Sequence, residues 1–120
     1  MRRTILAALL FAFCVPQTLA QFPDRPVRIV VPFGPGGLAD ITFRVVAEKL
    51  TGLLGKPVLV ENQPGAGGIA AAATVTKSKP DGHTLLVIAN GTAISKGLFK
   101  NLPYDPVKDL APVSLVAYFD

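Results

Sequence analysis

The sequence predicts an α/β fold, with a mostly parallel β-sheet that carries helices on both faces. Short apolar segments rich in β-branched residues alternate along the chain with segments of helical periodicity, which is typical of this fold class. Glycine and proline, 11 residues of each, separate these segments. Half of the 120 residues are apolar, so the chain can bury a core, and its length allows one domain or part of a larger one.

The first predicted elements are a strand and a long helix. Residues 27–33 are mostly apolar and β-branched, as expected for a strand that is buried on both faces. Residues 38–54 have helical periodicity, and Gly55 followed by Pro57 supplies a stop signal. We expect this helix to bury one stripe, formed by Leu38, Ile41, Val45, Leu50, Leu53 and Leu54.

The next elements repeat this alternation. Residues 57–61 predict a second strand, residues 69–77 a helix of small residues that can approach the sheet closely, and residues 84–89 a third strand. Thr92 and Ser95 are candidate caps of a short helix after the third strand.

The end of the chain predicts two more elements. Asp105-Pro106 has the chemistry that begins a helical turn, and residues 112–119 are a fourth strand candidate. The chain stops after this strand without a closing helix. We therefore expect an incomplete lobe.

The first twenty residues have a pattern of their own. Arg2 and Arg3 precede an unbroken apolar run of 11 residues, Ile5–Val15, and the small residue Ala20 stands before Gln21. This is the three-part pattern of a secretory signal peptide. The run is shorter than the roughly 20 residues that span a bilayer, which argues against a permanent anchor helix. We predict a cleavable signal peptide at residues 1–20, which includes Cys14, and a mature domain at residues 21–120 that is not inserted in the membrane.

The composition of residues 21–120 excludes several classes of function. Ten basic and eight acidic residues leave no basic stripe for nucleic acid, and the absence of cysteine excludes disulfides and Cys-based zinc sites. His83, the only histidine, follows a turn and is expected to face solvent. No GxSxG, HExxH or GxxxxGK[ST] motif occurs. We predict no catalytic residues, no metal and no cofactor, and therefore no enzyme.

The turn between the first strand and the first helix is the leading candidate for a binding site. In an open parallel sheet such turns lie at the carboxyl edge, where ligands bind. Glycines let the backbone approach a ligand, and the free N–H groups in the first turn of a helix attract an anion. We predict that this turn holds a carboxylate or a phosphate, with the candidate residues Phe33, Gly34, Gly36, Gly37 and Asp40.

Asp40 allows two interpretations. If Gly37 caps the helix, the Asp40 carboxylate can turn back and accept hydrogen bonds from backbone N–H groups. Alternatively, it accepts a hydrogen bond from an amine or hydroxyl of the ligand. The two roles are partly compatible.

Two further strand-to-helix turns are expected at the same edge. Residues 62–68 are rich in glycine and suit helix docking and ligand contact equally well. Asn90, Gly91 and Thr92 follow the third strand, and we favour ligand contact there because Thr92 and Ser95 carry hydroxyl groups.

Residues 34–39 also match the pattern GxGxxA, so a dinucleotide-binding enzyme domain is an alternative. Three observations oppose it. Soluble nicotinamide cofactor is scarce outside the cytoplasm, Pro35 removes one N–H from the turn, and Glu61 lies somewhat far along the chain for the acid that binds the ribose.

Five blocks of the sequence, in order, resemble the Bug (TctC-like) receptors, the periplasmic substrate-binding proteins of tripartite tricarboxylate transporters. Within these blocks, Gly34 stands where proline is frequent in the family, and His83 where an aromatic residue is frequent. The blocks are residues 22–33, 35–40, 60–68, 80–85 and 102–113.

The resemblance implies one lobe of a two-lobed, hinged periplasmic binding protein of the Venus flytrap type. Its cleft would take a small carboxylate, namely a di- or tricarboxylate, an acidic amino acid or an aromatic acid, and deliver it to the membrane permease subunits of the transporter. The turn that matches residues 33–40 would form one jaw. Family members are much longer than 120 residues, so the resemblance covers most of the amino-terminal lobe only, and an inactive truncated product is a further alternative.

Overall fold

The computed structural model describes residues 21–116. The predicted signal peptide at residues 1–20, with Cys14, lies outside the described residues. Within these residues, three strands and three helices alternate, with one short 3-10 turn at Ala66–Gly68. They are β1 (Val27–Val31), α1 (Leu38–Leu54), β2 (Val58–Asn62), α2 (Ile69–Thr76), β3 (Thr84–Leu86) and α3 (Asn90–Leu98).

The strands form one parallel sheet in the order β2-β1-β3. Val27 lies opposite Val58 at the start of the β1–β2 pair, and Arg28 lies opposite Thr84 in the β1–β3 pair. The carboxyl ends of all three strands therefore point to the same edge of the sheet. This topology confirms the predicted α/β fold class.

Alternate residues of β1 point to opposite faces of the sheet, and a helix packs on each face. Val27, Ile29 and Val31 form the main core with Ala47 of α1 and Val58 of β2. Val30 is also fully buried, and alternation along a strand directs it to the opposite face. On that face lies α2, which contacts β1 and β3 and buries Ala71 and Ala72.

Helix α1 keeps its predicted bounds but buries a different face. Four residues of the predicted stripe are exposed: Leu38 (70%), Ile41 (55%), Val45 (55%) and Leu53 (81%). The predicted stripe is confirmed at Leu50 and Leu54 and wrong at these four positions, because the small side chains of Ala39 and Ala47 let a neighbouring face of the helix lie close to the sheet. The residues on that face that pack with the core are Ala39, Phe43, Ala47, Leu50 and Leu54.

Several element ends differ from the prediction. β1 ends at Val31 because Pro32 has no N–H to donate to the ladder. Pro57 also lacks an N–H, and β2 begins one residue later than predicted, at Val58. β3 and α2 end earlier than predicted, at Leu86 and Thr76.

The prediction that Thr92 or Ser95 caps the last helix is wrong. The chain passes from β3 almost directly into α3, which begins at Asn90 with Ala89 in the extended N-cap position. Thr92 and Ser95 therefore lie inside the helix, with exposures of 0% and 1%. Ser95 Oγ donates a hydrogen bond to the Thr92 carbonyl at 2.7 Å.

Residues 105–109 form one helical turn, as predicted, with the amide of Asp109 donating to the Asp105 carbonyl at 2.9 Å. Residues 112–116 are not in a strand, and they pair with none of the described strands. The rest of the predicted fourth strand, residues 117–119, lies outside the described residues. A strand forms only where it has a partner for its backbone groups, and β1–β3 provide none here.

His83 is buried, with an exposure of 6%, so the prediction that it faces solvent is wrong. The Asp81 carboxylate accepts a hydrogen bond from the amide of His83 at 3.1 Å, which folds the turn before β3. The side chain of Phe22 packs edge-on against the imidazole, with the ring centroids 4.8 Å apart. The segment before β1 thus covers the histidine.

Candidate functional site

The carboxyl edge of the sheet carries the turns that lead into the helices. The turn after β1 begins α1, the turn after β2 leads through Ala66–Gly68 into α2, and the short connection after β3 begins α3. This edge, from here on the rim, contains all the residues that the sequence predicts as ligand-binding. Phe33, Gly36, Gly37 and Asn90 are exposed there, and Gly34 and Gly91 are half-buried.

Helix α1 presents free backbone donors at the rim. Gly37 is its N-cap in an extended conformation, and no side chain caps the helix there. The amide of Ile41 donates to the Gly37 carbonyl at 3.0 Å, whereas the amides of Leu38, Ala39 and Asp40 have no acceptor among residues 21–116. A helix of 17 residues adds the positive end of its dipole to these donors. The arrangement suits an anionic group.

Asp40 holds the turn before α1 in place. Its side chain is 3% exposed, and its Oδ2 accepts hydrogen bonds from the Gly36 amide at 2.9 Å and from Arg44 Nε at 3.0 Å. Its Oδ1 accepts a hydrogen bond from Asn62 Nδ2 at 2.9 Å. These contacts agree with the interpretation that the carboxylate turns back to the backbone. Oδ2 accepts two hydrogen bonds and Oδ1 accepts one, and the low exposure of the side chain leaves little surface for direct contact with a ligand.

The same contacts shift the acidity of Asp40. The Arg44 guanidinium, followed by the Gly36 amide and the Asn62 side chain, lowers the pKa of the Asp40 carboxyl to about 2. The carboxyl is therefore ionised at every pH near neutrality. The ionised carboxylate accepts the Gly36 N–H, which therefore points towards Asp40 and not towards solvent.

Arg44 and Asn62 complete this network, and sequence reasoning missed both. Arg44 Nη2 donates to Asn62 Oδ1 at 3.2 Å, and Asn62 Nδ2 donates to the Phe33 carbonyl at 3.1 Å. The end of β2 is thereby tied to the turn after β1. Two signals in the sequence could have found them: Arg44 stands one helical turn after Asp40, and Asn62 is a polar residue where a buried strand ends.

The second and third turns of the rim touch each other through glycine. A Cβ on Gly91 would lie 2.6 Å from the Gly67 carbonyl oxygen, and a Cβ on Gly68 would lie 2.6 Å from Thr92 Oγ1. Gly67 and Gly68 both have positive φ, 65° and 92°. A side chain at Gly68 or Gly91 would overlap the facing turn, and the turn after β2 therefore packs directly on the start of α3.

Thr92 points into this contact. It is fully buried, and its Oγ1 has no hydrogen-bond partner among residues 21–116. Of the three residues that the sequence predicts in this turn, Asn90 and Gly91 lie at the surface of the rim, while Thr92 lies beneath it.

The structure gives the dinucleotide alternative no support. Glu61, the candidate acid for the ribose, is occupied: its carboxylate accepts hydrogen bonds from Gln63 Nε2 at 2.6 Å and from Arg28 Nε at 3.0 Å. These two contacts, the Gln63 hydrogen bond first, also lower the pKa of Glu61.

We expect Asp40 to make the protein sensitive to acid. A carboxyl whose pKa is depressed in the folded state contributes stability above its unfolded pKa of about 3.9, and the contribution is lost as pH falls through the folded pKa. For Asp40 the window runs from about pH 4 down to about pH 2. Denaturant unfolding of the wild type and of Asp40→Asn across this window measures the effect. The stability difference between them should shrink as pH falls, and a difference that stays constant would contradict the assignment.

Other kinds of site receive no support from the described residues. Between residues 21 and 116, no group of three or more His, Cys, Asp and Glu residues could hold a metal ion. Over the same range, no helix has both the length and the apolar composition needed to cross a bilayer. Two surface clefts of about 200 and 290 Å³ lie at the amino ends of the strands, away from the rim.

Comparison with known proteins gives consistent results. Residues 42–119 match the family described as the tripartite tricarboxylate transporter family receptor, TctC. A relative from Bordetella bronchiseptica is 45% identical over 119 residues, which are 98% of this chain and 36% of that protein. The protein BugT of Bordetella pertussis is 41% identical over 103 residues, which are 84% of this chain and 32% of BugT. The chain therefore spans about a third of the length of these relatives.

This chain also matches part of several solved structures. The periplasmic binding protein BugD is 40% identical with a TM-score of 0.68, and the match covers 73% of this chain and 29% of BugD. MatC of Rhodopseudomonas palustris, solved with bound malate, is 43% identical with a TM-score of 0.66, over 73% of this chain and 30% of MatC. The described fold corresponds to one lobe of these two-lobed proteins.

Proposed function

Because this chain belongs to the family of tripartite tricarboxylate transporter receptors, we propose that residues 21–120 form the amino-terminal lobe of a periplasmic receptor for a small carboxylate. Residues 1–20 are the signal peptide that exports it. The complete receptor carries its ligand to the membrane permease subunits of a transporter and leaves it chemically unchanged. The relatives are solute-binding receptors, and none of the catalytic motifs sought in the sequence is present.

One observation carries this proposal: the first-turn amides of α1 lie free at an edge where a second helix, α3, also begins. Backbone N–H groups at a helix N-terminus bind a carboxylate without a cationic side chain. In this proposal the exposed turn at residues 33–37 holds one carboxylate group of the ligand. Asp40 acts as a positioning residue, since it accepts the Gly36 amide and keeps the turn in shape.

The start of α3 gives the ligand a second set of contacts. Asn90 is exposed and Gly91 lies next to it, while the buried side chain of Thr92 packs against Gly68 in the turn after β2. Such a rim suits a ligand that carries a second polar group. A dicarboxylate meets this requirement, and malate is the ligand bound in the similar protein MatC.

The second jaw of the receptor would belong to the part of the relatives that this chain does not span. Ligand affinity in a hinged receptor depends on closure of both jaws, because one jaw buries only part of the ligand and excludes little water. We therefore expect weak binding by residues 21–120 alone and strong binding by a complete receptor.

Calorimetry tests the proposal. The complete receptor and the 120-residue chain are each titrated with malate, adipate, citrate, glutamate, benzoate and NAD. Heat from at least one carboxylate, and none from NAD, is the expected result. Binding of NAD would favour the dinucleotide alternative. If no carboxylate gave binding heat with the complete receptor, the proposed function would be contradicted.

A further inference from the structure

A cluster of charged groups lies around His83, at the amino ends of the strands. The imidazole Nδ1 is 3.2 Å from Asp81 Oδ1, and Nε2 is 3.0 Å from Asp24 Oδ1. Arg25 pairs with the other carboxylate oxygen of Asp81. Residues 22–25, which precede β1, are therefore held against the turn before β3. We call these contacts the His83 latch.

Packing reinforces the latch. The ring of Phe22 lies edge-on to the imidazole, and Gly82, with φ of 82°, has the same ring so close that a Cβ would lie 3.2 Å from it. The side chain of His83 is only 7% exposed. An imidazole in this position has no free access to water on most of its surface.

The two ring nitrogens face carboxylate oxygens on opposite sides. A neutral imidazole has a single N–H, so one nitrogen would present its lone pair to a carboxylate at about 3 Å. An imidazolium has a proton on each nitrogen and attracts both carboxylates. The Asp24 contact is close enough for an ion pair but lacks the alignment of a hydrogen bond, and the buried Nε2 has no hydrogen-bond partner among the described residues.

We propose that protonated His83 latches residues 22–25 to the turn before β3, and that loss of its proton loosens this segment. The charges balance in the protonated state, since the two carboxylates of Asp24 and Asp81 face the cations of Arg25 and His83. In the neutral state the cluster keeps one uncompensated negative charge. The latch thus makes the attachment of the segment before β1 dependent on pH.

The other charged groups nearby do not replace the imidazolium. Arg28 donates its amide to the His83 carbonyl at 2.7 Å, but its guanidinium pairs with Glu61. Lys79 lines the neighbouring cleft together with Arg25 and Asp81, but its amine lies beyond ion-pair distance of both Asp24 and Asp81. The pKa of Asp81 is lowered, first by the His83 amide and then by the charge of Arg25, so this carboxylate is ionised at neutral pH.

The latch is separate from the proposed binding site. It lies at the amino ends of β1 and β3, whereas the rim lies at their carboxyl ends. Its test needs no ligand, and the outcome is independent of whether the protein binds a carboxylate.

The experiment is an NMR titration of the purified ¹⁵N-labelled protein from about pH 5.5 to about pH 8.5, the range in which histidine changes charge. His83 is the only histidine in the sequence, so its two ring nitrogens are the only imidazole signals. At low pH we expect both nitrogens to carry protons and a nuclear Overhauser contact between the rings of Phe22 and His83. As the ring loses its proton, this contact should weaken at least about twofold.

Three variants make the test specific. Asp24→Asn should shift the titration to lower pH, because Asp24 is 70% exposed and its loss removes charge without disturbing the core. Glu48→Gln, which removes a charge from α1, a helix without contacts to β3, should leave the titration unchanged. His83→Phe keeps an aromatic ring and should hold Phe22 equally well at both ends of the pH range.

Two results would overturn the latch. One is a ring that changes its protonation while the Phe22 contact stays constant. The other is an Asp24→Asn variant that titrates like the wild type.

Discussion

Replacing Gly91 with alanine is expected to destabilise the protein by about 2–4 kcal/mol. The new Cβ would lie 2.6 Å from the Gly67 carbonyl oxygen and 3.3 Å from its carbonyl carbon. Both are backbone atoms, and they belong to a turn that is itself confined by the positive φ of Gly67 and Gly68. The clash cannot be relieved by rotating a side chain, so the turn after β2 and the start of α3 would have to separate.

Gly97→Ala is the matched control for this prediction. Gly97 lies in the same helix, and a Cβ there would meet nothing within 4 Å. Alanine should therefore stabilise the protein by about 0.5–1 kcal/mol through its higher helix propensity. Urea unfolding of the wild type and the two variants measures both effects. Equal stability of Gly91→Ala and Gly97→Ala would mean that the two turns do not approach each other as closely as described.

The sequence predicted the topology well because topology depends on local signals. Glycine and proline mark where elements stop, as at Gly55, which adopts the left-handed conformation with φ of 66° after α1. Strands of β-branched residues that alternate with helices leave few arrangements other than a parallel sheet. The rim followed from this topology, since the carboxyl ends of parallel strands share one edge.

Side-chain partners could not be predicted in the same way. Part of the buried face of α1 was missed because hydrophobicity alone ranks Leu38 and Leu53 above Ala39 and Ala47, whereas close packing on a sheet favours small residues. His83 was expected in solvent because a turn precedes it. Its burial depends on Phe22, which is distant in sequence, and no local signal indicates that contact.

The hydrogen-bond network at the rim includes one contact that local sequence predicts and one that it does not. The backbone role of Asp40 followed from its position in the first turn of α1, which is a local feature. The role of Asn62 depends on a contact across 22 positions of the chain, which forms only once β2 lies beside β1. The sequence thus indicated the edge at which we propose that a ligand binds, but not the side chains that hold this edge in shape.

Replacing Gly36 with valine in the complete receptor should weaken binding of its carboxylate ligand by at least about 100-fold. Gly36 has φ of 81°, a conformation that β-branched residues avoid, although a Cβ there would meet no atom within 4 Å. The cost is therefore one of backbone conformation and not of steric overlap with the core. Relief of the strain would rotate the peptide and withdraw the Gly36 amide from Asp40, and the first-turn amides of α1 would lose the geometry in which they meet an anion.

Gly52→Ala provides the comparison, because Gly52 lies within α1, has open space around it and is outside the proposed site. Calorimetry should give this variant the affinity of the wild type, and the unfolding curves of both variants should show that each is folded. Should Gly36→Val unfold under these conditions, Gly36→Ala imposes the same backbone conflict with a smaller side chain, and we expect a loss of about tenfold. Full affinity in a folded variant at Gly36 would mean that the ligand is held elsewhere.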